Sequence, residues 1–354
     1  MHFDRQEAFS GTTAADIPGE VITAYLAEHL VGFAGPLTAA RFKGGQSNPT
    51  YKLTTPAKNY VLRRKPSGKL LASAHAIERE FRVTEALARS GFPVAKPLHL
   101  CTDEDIIGAA FYIMEHAEGR VFWEPHAPGL TPDDRAALFA SLNATIADLH
   151  MIDAEAAGLG DFGRPQGYVS RQIKRWSEQY RASETETIAE MNQLIAWLPG
   201  ACPGYGEAAI VHGDFRLDNC IIHPSEPRVI AVLDWELSTL GDPLADFTYH
   251  LMQWFMPVSE TGSGVGTLRG HEGDPGISAL DDYIASYCAR TGRAAISDLN
   301  TYMAYNFFRI AAILQGILGR VRDGTAANAQ AAEMARQVRP LAETGWTFAR
   351  KAGA

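Results

Sequence analysis

Cysteine is scarce in this chain. The four cysteines among 354 residues, at 101, 202, 220 and 288, form no CxxC pair. That excludes a recognisable zinc site or disulfide framework and fits reduced thiols in a cytoplasmic protein. Surplus positive charge is missing as well. A formal net charge of -9 argues against a general nucleic-acid binder, which needs excess Lys and Arg to release counterions from phosphates. No apolar run approaches the length of a membrane span, and residues 1–7 carry acidic side chains instead of the apolar core of a signal peptide. The expectation is a soluble protein that is not exported, with neither a membrane nor a nucleic acid as partner.

What is present is ordinary globular material, 46% from the AVILMFWYC set and 21% charged, in a chain long enough for two lobes with separate cores. Residues 51–54, 60–63, 94–100 and 109–114 are short runs rich in β-branched and aromatic residues, divided by Gly, Pro and charged turns. Between the second and third lies a helical pattern over 73–89, with Ile77, Phe81, Thr84 and Leu87 on one face and Gly91 and Pro93 as the stop. One helix among antiparallel strands predicts a small α+β lobe. From about residue 131 the texture turns helical, over 133–153, 168–198, 242–256, 277–291 and 297–322, with short strands at 220–222 and 229–234. The boundary falls at Glu115-His116-Ala117-Glu118-Gly119, giving lobes 1–117 and 118–354. The Gly-, Ser- and Pro-rich stretch 257–276 reads as a long loop.

The chemistry-bearing stretch is Val211-His212-Gly213-Asp214-Phe215-Arg216-Leu217-Asp218-Asn219, followed by Val232-Leu233-Asp234-Trp235-Glu236. Phosphoryl transfer asks little covalent help of a protein: it must place the donor, neutralise phosphate charge and orient the accepting hydroxyl. Asp214, directly after an apolar run, would face that hydroxyl and take its proton late in the reaction. Mg²⁺ wants hard oxygen ligands and accepts one or two carboxylates, a demand that Asn219 and Asp234 meet. A hairpin from the two short strands would bring them to one edge. Arg216 would reach the transferring phosphate and offset its developing charge.

These motifs give the chain a plain resemblance to the aminoglycoside phosphotransferase and choline kinase family of the protein-kinase-like fold. The likeness runs in order over roughly residues 30–320. It implies a two-lobed α+β fold, a small antiparallel nucleotide-binding lobe with one main helix over a larger, mostly helical catalytic lobe. It also implies ATP and Mg²⁺ as cofactors, Asp214 as catalytic base, and Asn219 and Asp234 as magnesium ligands. In the small lobe, Gly44, Gly45, Ser47 and Asn48 match the loop over the triphosphate, where glycine admits close backbone approach and the two polar side chains offer donors. Arg63 stands where the family usually has a phosphate-gripping lysine, and Glu80 matches the glutamate that pairs with it. Strand alternation puts Lys65 on the same face, so either cation could serve. Glu115 and Ala117 match the backbone positions that hold adenine.

Several neighbours have plainer readings. His212 is read as structural, Asp218 and Glu236 as solvated loop carboxylates, Asp242 as a helix N-cap and Asp246 as a tie between that helix and the catalytic loop. Trp123, Tyr249, Trp254 and Phe255 read as core or, alternatively, as a cage for a quaternary ammonium. Arg171, Lys174 and Arg175 share a helix face that is either solvated or attractive to an anionic acceptor, with Arg309, Arg320 and Arg322 adding to that field.

Residues 60–71 and 307–316 further resemble the subgroup fused to some large acyl-CoA dehydrogenases. That implies a small hydroxyl-bearing acceptor of hydroxyacyl or hydroxy-acid type, such as a CoA thioester. The alternatives are an aminoglycoside or choline-type kinase and a catalytically weak nucleotide-binding module. Oligomeric state is left open.

Overall fold

A computed structural model describes residues 12–43, 48–66, 77–202, 207–258, 266–323 and 336–354. The chain divides into two compact units. One takes the described residues up to Val121 together with Asn219–Ser238, and the other takes Phe122–Asp218 and Thr239–Ala354.

The first unit is built on a six-stranded antiparallel sheet in the order β1-β2-β3-β4-β6-β5, with β1 Thr12–Ala14, β2 Thr38–Phe42, β3 Thr50–Thr54, β4 Asn59–Arg64, β5 Pro97–Cys101 and β6 Phe111–Glu115. Period-two alternation sorts its side chains. Tyr60 and Leu62 of β4 join Tyr51, Leu53, Phe111 and Ile113 in a core shared with Ile22 and Leu26 of α1 (Gly19–His29). Val61 points to the other face, where Tyr112, Met114 and Ile77 of α2 (Ile77–Arg89) form a second cluster. Arg63, two residues past Val61, therefore emerges on the α2 side.

The hairpin of β8 (Cys220–Ile222) and β9 (Val229–Val232) belongs to this unit, although the sequence placed it within 118–354. The reason is backbone pairing with residues distant in sequence. The Val232 N–H donates to the Pro93 carbonyl at 2.9 Å, Arg120 and Ile222 exchange backbone bonds of 2.7 and 2.8 Å, and Trp235 meets Phe92 edge-on.

The second unit is helical: α3 Pro132–Met151, α4 Tyr168–Ser183, α5 Ala189–Ala201, α6 Pro243–Leu251, α7 Leu280–Thr291, α8 Leu299–Arg322 and α9 Val338–Lys351. A two-stranded pair joins β7 (Ala209–Val211) to β10 (Thr239–Gly241). Every residue from Thr301 to Ala312 of α8 is buried, the pattern of a helix enclosed on all sides. It packs against α4, α5, α6 and α9. The single helix expected over 168–198 is two, because Glu184 takes an extended backbone after Ser183. The expected strand over 229–234 stops at Val232. No helix among the described residues is long and apolar enough to cross a membrane.

Gly119 shows how closely the hairpin is seated. A Cβ there would lie 2.4 Å from the Ile222 carbonyl oxygen and 2.4 Å from its neighbour's Ile221 Cγ2, and the carbonyl is backbone that cannot step aside. Gly119→Ala is expected to cost about 1–3 kcal/mol as overpacking, read as a lowered midpoint in urea with unchanged m-value. An unchanged midpoint would mean that the hairpin floats.

Candidate active site

β7 leads the chain into the turn His212-Gly213-Asp214. Gly213 takes φ +85°, a left-handed conformation that a side chain would strain. The bend presents two consecutive N–H groups to Asp246 on α6: His212 donates to Oδ2 at 2.7 Å and Gly213 to Oδ1 at 2.8 Å. The His150 Nε2 lies 3.2 Å from Oδ2. Burial by itself would push the Asp246 carboxyl up, but His150 and His212 hold it below the usual carboxylate range. Asp242 caps α6, accepting from the Leu244 and Ala245 N–H groups at 2.9 and 3.4 Å. The buried His212 accepts the Asp214 N–H on Nδ1 at 3.1 Å. Asp242 is thus the cap, Asp246 the tie and His212 the structural histidine that were expected.

Asp214 follows, its side chain 23% exposed. Tyr249, also on α6, donates its hydroxyl to Oδ1 at 2.5 Å. Arg216 lies with Nε 3.2 Å from the same oxygen and Nη2 3.0 Å from Asp218 Oδ2. Arg216 is thus a strut between two carboxylates, and the phosphate-clamp expectation would require it to release one of them. Asp218, read as solvated, is its partner.

The other half of the motif lies in the first unit. Register places Arg63 opposite Tyr112 across β4 and β6, and both reach Glu80 on α2. The Tyr112 hydroxyl donates to Oε2 at 3.2 Å. Arg63 Nε sits 2.8 Å from that oxygen, an ion-pair distance although its N–H is out of hydrogen-bond alignment. Arg63 Nη2 donates to Asp234 Oδ1 at 2.8 Å. Burial opposes the guanidinium charge, but Glu80, Tyr112, Asp234 and Glu236 outweigh it and raise the pKa above the ordinary arginine value. Burial raises the Glu80 carboxyl despite Arg63. Lys65 pairs instead with Glu78 at 2.5 Å, so Arg63 is the cation at Glu80.

Asn48 departs from expectation. Fully buried, it donates Nδ2 to Glu80 Oε1 at 2.7 Å; it braces the ion pair where a phosphate donor was expected. Gly44, Gly45 and Ser47 lie outside the described residues. The Glu115 N–H donates to the Lys96 carbonyl at 2.9 Å, and Ala117 follows just beyond the end of β6.

Asn219 closes a 3₁₀ turn, Leu217–Asn219, and its carbonyl accepts the Leu233 N–H at 2.8 Å. Asp234 leaves the hairpin at φ 65°, ψ 60°, a strained left-handed conformation for a non-glycine residue, with its side chain 36% exposed. Backbone pairing thus brings an amide oxygen and a carboxylate to one end of the hairpin. This hard, two-ligand set fits Mg²⁺, which takes its other ligands from phosphate and water. Among the described residues, no group of three or more His, Cys, Asp or Glu could hold a metal alone.

In the second unit a pocket opens beside the catalytic loop. Trp123, Pro125, Leu217, Met252 and Ile310 give it an apolar wall, and Arg216, Asp218, Tyr249, His250 and Gln253 supply its polar lining. The four aromatics proposed as a cage are dispersed. Trp123 and Tyr249 line the pocket, Trp254 packs on Phe139 and Tyr283, and Phe255 packs on Phe348. Arg171, Lys174 and Arg175 are exposed, with Arg171 donating to the Gln166 and Arg164 carbonyls and Arg175 lying over the Trp176 ring. Arg309, expected to add to a surface field, is buried and donates to the Gly213 carbonyl at 2.9 Å.

The family model for the phosphotransferase enzyme family, APH, matches residues 38–298. The chain belongs to that family. This phosphotransferase-family chain is 49% identical to a Ralstonia eutropha protein provisionally named an aminoglycoside phosphotransferase, with a TM-score of 0.85 over 95% of this chain and 99% of that one. A spectinomycin phosphotransferase solved with ADP and spectinomycin shares the fold, with a TM-score of 0.64 at 14% identity over 95% of this chain and all of that one. Mouse acyl-CoA dehydrogenase family member 10 is 44% identical over 95% of this chain, which spans 32% of that protein's length. The family places the chain among APH-type phosphotransferases, and the fold is kinase-like.

His250 in the pocket lining yields a pH prediction. Its Nδ1 faces the Phe215 carbonyl at 3.3 Å and its Nε2 the Tyr283 hydroxyl at 2.8 Å, a set that suits the neutral ring donating from Nδ1. Burial pushes its pKa down to about 4 from 6.5. The unfolded chain therefore takes up a proton that the folded chain refuses, and stability present above pH 6.5 is lost as pH falls toward about 4. The loss should be on the order of 3 kcal/mol. Urea unfolding at stepped pH should show His250→Gln with a flatter profile by about one proton; an unchanged slope would contradict a neutral buried ring.

Proposed function

We propose that this chain transfers the γ-phosphoryl group of ATP, with Mg²⁺, to the hydroxyl of a small hydroxyacyl or hydroxy-acid acceptor. The observation that carries the reading is Asp214, part-exposed, in contact with the pocket-lining Tyr249 and Arg216, and on a turn whose two preceding N–H groups are fixed by one buried carboxylate. Bound Mg²⁺ would neutralise phosphate charge, held by Asn219 and Asp234. Asp214 orients the acceptor hydroxyl and takes its proton as the acceptor oxygen bonds to phosphorus and the bond to the departing ADP oxygen breaks. Arg216 keeps the base in place from one side. Arg63 holds Glu80 and Asp234, and it would serve the phosphates by passing Asp234 to the metal. ADP in the related spectinomycin enzyme supports a nucleotide donor.

The acceptor class rests on the pocket and the relatives. A polycationic aminoglycoside calls for acidic walls, whereas here, among the described residues, the one lining acid, Asp218, is already paired with Arg216. Trp123, Pro125, Leu217, Met252 and Ile310 suit an alkyl chain. The name of the mouse relative, an acyl-CoA dehydrogenase family member, points toward acyl thioesters. The exposed basic face of α4 adds little, since Arg171 is engaged with nearby carbonyls. The pairing of Arg63 with Glu80, in the place of the lysine pair that the resemblance implies, favours an active enzyme over a catalytically weak module.

ATP consumption with hydroxyacyl-CoA, an aminoglycoside and choline as separate acceptors tests the reading. Hydroxyacyl-CoA should give the largest kcat/KM, and Asp214→Asn should lower kcat by about 10²–10⁴-fold with nucleotide binding retained. Preference for the aminoglycoside would overturn the acceptor class, and full activity in Asp214→Asn would remove Asp214 as base.

A further inference from the structure

The reading of Asp214 as base leaves open how its carboxylate is aimed. A carboxylate on a short side chain can rotate about two bonds, and a general base must stay within a fraction of an ångström of its proton donor to be effective. Asp246 fixes the backbone before Asp214 and Arg216 stands 3.2 Å from Oδ1 on one side, but one ion pair to one oxygen leaves the carboxylate's rotation to be set by a further contact.

α6 supplies one. Tyr249 stands three residues after Asp246, so the two share a helix face. Asp246 takes the N–H groups of His212 and Gly213, and one turn later Tyr249 reaches the next residue, its hydroxyl 2.5 Å from Asp214 Oδ1. Tyr249 is 6% exposed. Burial and the Asp214 charge push its phenol well above the ordinary tyrosine value, so it remains a hydroxyl and donates.

The tyrosine is held in turn from α8. The Arg309 guanidinium lies 5.2 Å from the Tyr249 ring centroid, within cation–π range. Arg309 also donates to the Gly213 carbonyl at 2.9 Å. It is buried, yet Tyr305, Tyr168, Tyr249 and Asp214 outweigh the burial and raise its pKa. One buried cation thus braces both the loop before the base and the ring that grips it.

We propose that Tyr249 is a positioning residue for phosphoryl transfer: its hydroxyl locks the Asp214 carboxylate into one orientation, and Arg309 beneath the ring locks Tyr249. The inference rests on Asp214 being the base. Nothing in the packing requires the hydroxyl, since phenylalanine fills the same space and keeps the contact with Arg309. The oxygen therefore acts on the base.

The test uses the full chain with ATP and hydroxyacyl-CoA as the probe acceptor. Tyr249→Phe should lower kcat by about 10- to 100-fold, with both KM values within about two-fold and the unfolding midpoint unchanged. In an Asp214→Asn background the same substitution should add less than about two-fold, because the hydroxyl acts through the carboxylate. An unchanged kcat in Tyr249→Phe, or an equal loss in the Asp214→Asn background, overturns the proposal. Activity retained in Asp214→Asn alone is a different result, sinking the base itself. If the probe acceptor is not turned over, a crystal structure of Tyr249→Phe decides. An Asp214 carboxylate rotated or split between orientations supports the proposal, and a single unchanged orientation overturns it.

Discussion

A buried carboxylate that receives two successive backbone N–H groups is the contact on which the second unit depends. Asp246 is 3% exposed, and an ion so enclosed survives only if its hydrogen-bonding capacity is filled. His212, Gly213 and His150 fill it. Because the N–H donors are main chain, the contact sets the path of the loop irrespective of side-chain rotamers there. α6 is itself anchored. The Tyr302 hydroxyl donates to its cap Asp242 at 2.7 Å, and Asn306 donates to the Ala245 carbonyl and Thr248 hydroxyl at 3.0 Å each. Order therefore passes from the enclosed α8 to α6, and from α6 to the turn that carries Asp214.

The first unit solves a similar problem with opposite charge. Arg63, 11% exposed at its side chain, sits between Glu80 and Asp234. An ammonium would act as a point charge, whereas the guanidinium fork touches two carboxylates in fixed directions. Asn48 and Tyr112 complete the shell of Glu80. Truncating any member leaves a buried charge short of a partner, which makes such networks sensitive to single changes.

Much of this was legible in the sequence, and the boundary of legibility has a physical cause. Asp214, Asn219 and Asp234 can be singled out as candidates because the proposed chemistry restricts residue type and spacing. Asp242 and Asp246 follow from capping rules on one helix. The strand and helix assignments largely hold because period-two and 3.6-residue patterns are local. Non-local contacts were harder. Asn48 looked like a phosphate donor until the fold brought Glu80 to it, and Arg63 and Lys65 stood on one strand face until α2 offered Glu80 to one and Glu78 to the other. The 220–232 hairpin joined the first unit through pairing with Pro93 and Arg120, distant in sequence. Two further signals are present in the sequence. The all-round apolar pattern of α8 marks Arg309 as enclosed, and the three-residue step from Asp246 to Tyr249 puts a hydroxyl next to Asp214.

The central claim is that the Asp246 charge holds the turn that carries Asp214. Amide hydrogen exchange on Asp246→Asn tests it most directly, because an asparagine turns an N–H₂ toward one of the two N–H donors and loses the charge. The His212 and Gly213 amides should lose about 100-fold or more of their protection while the α8 amides keep theirs. Unchanged protection at His212 and Gly213 would contradict the account.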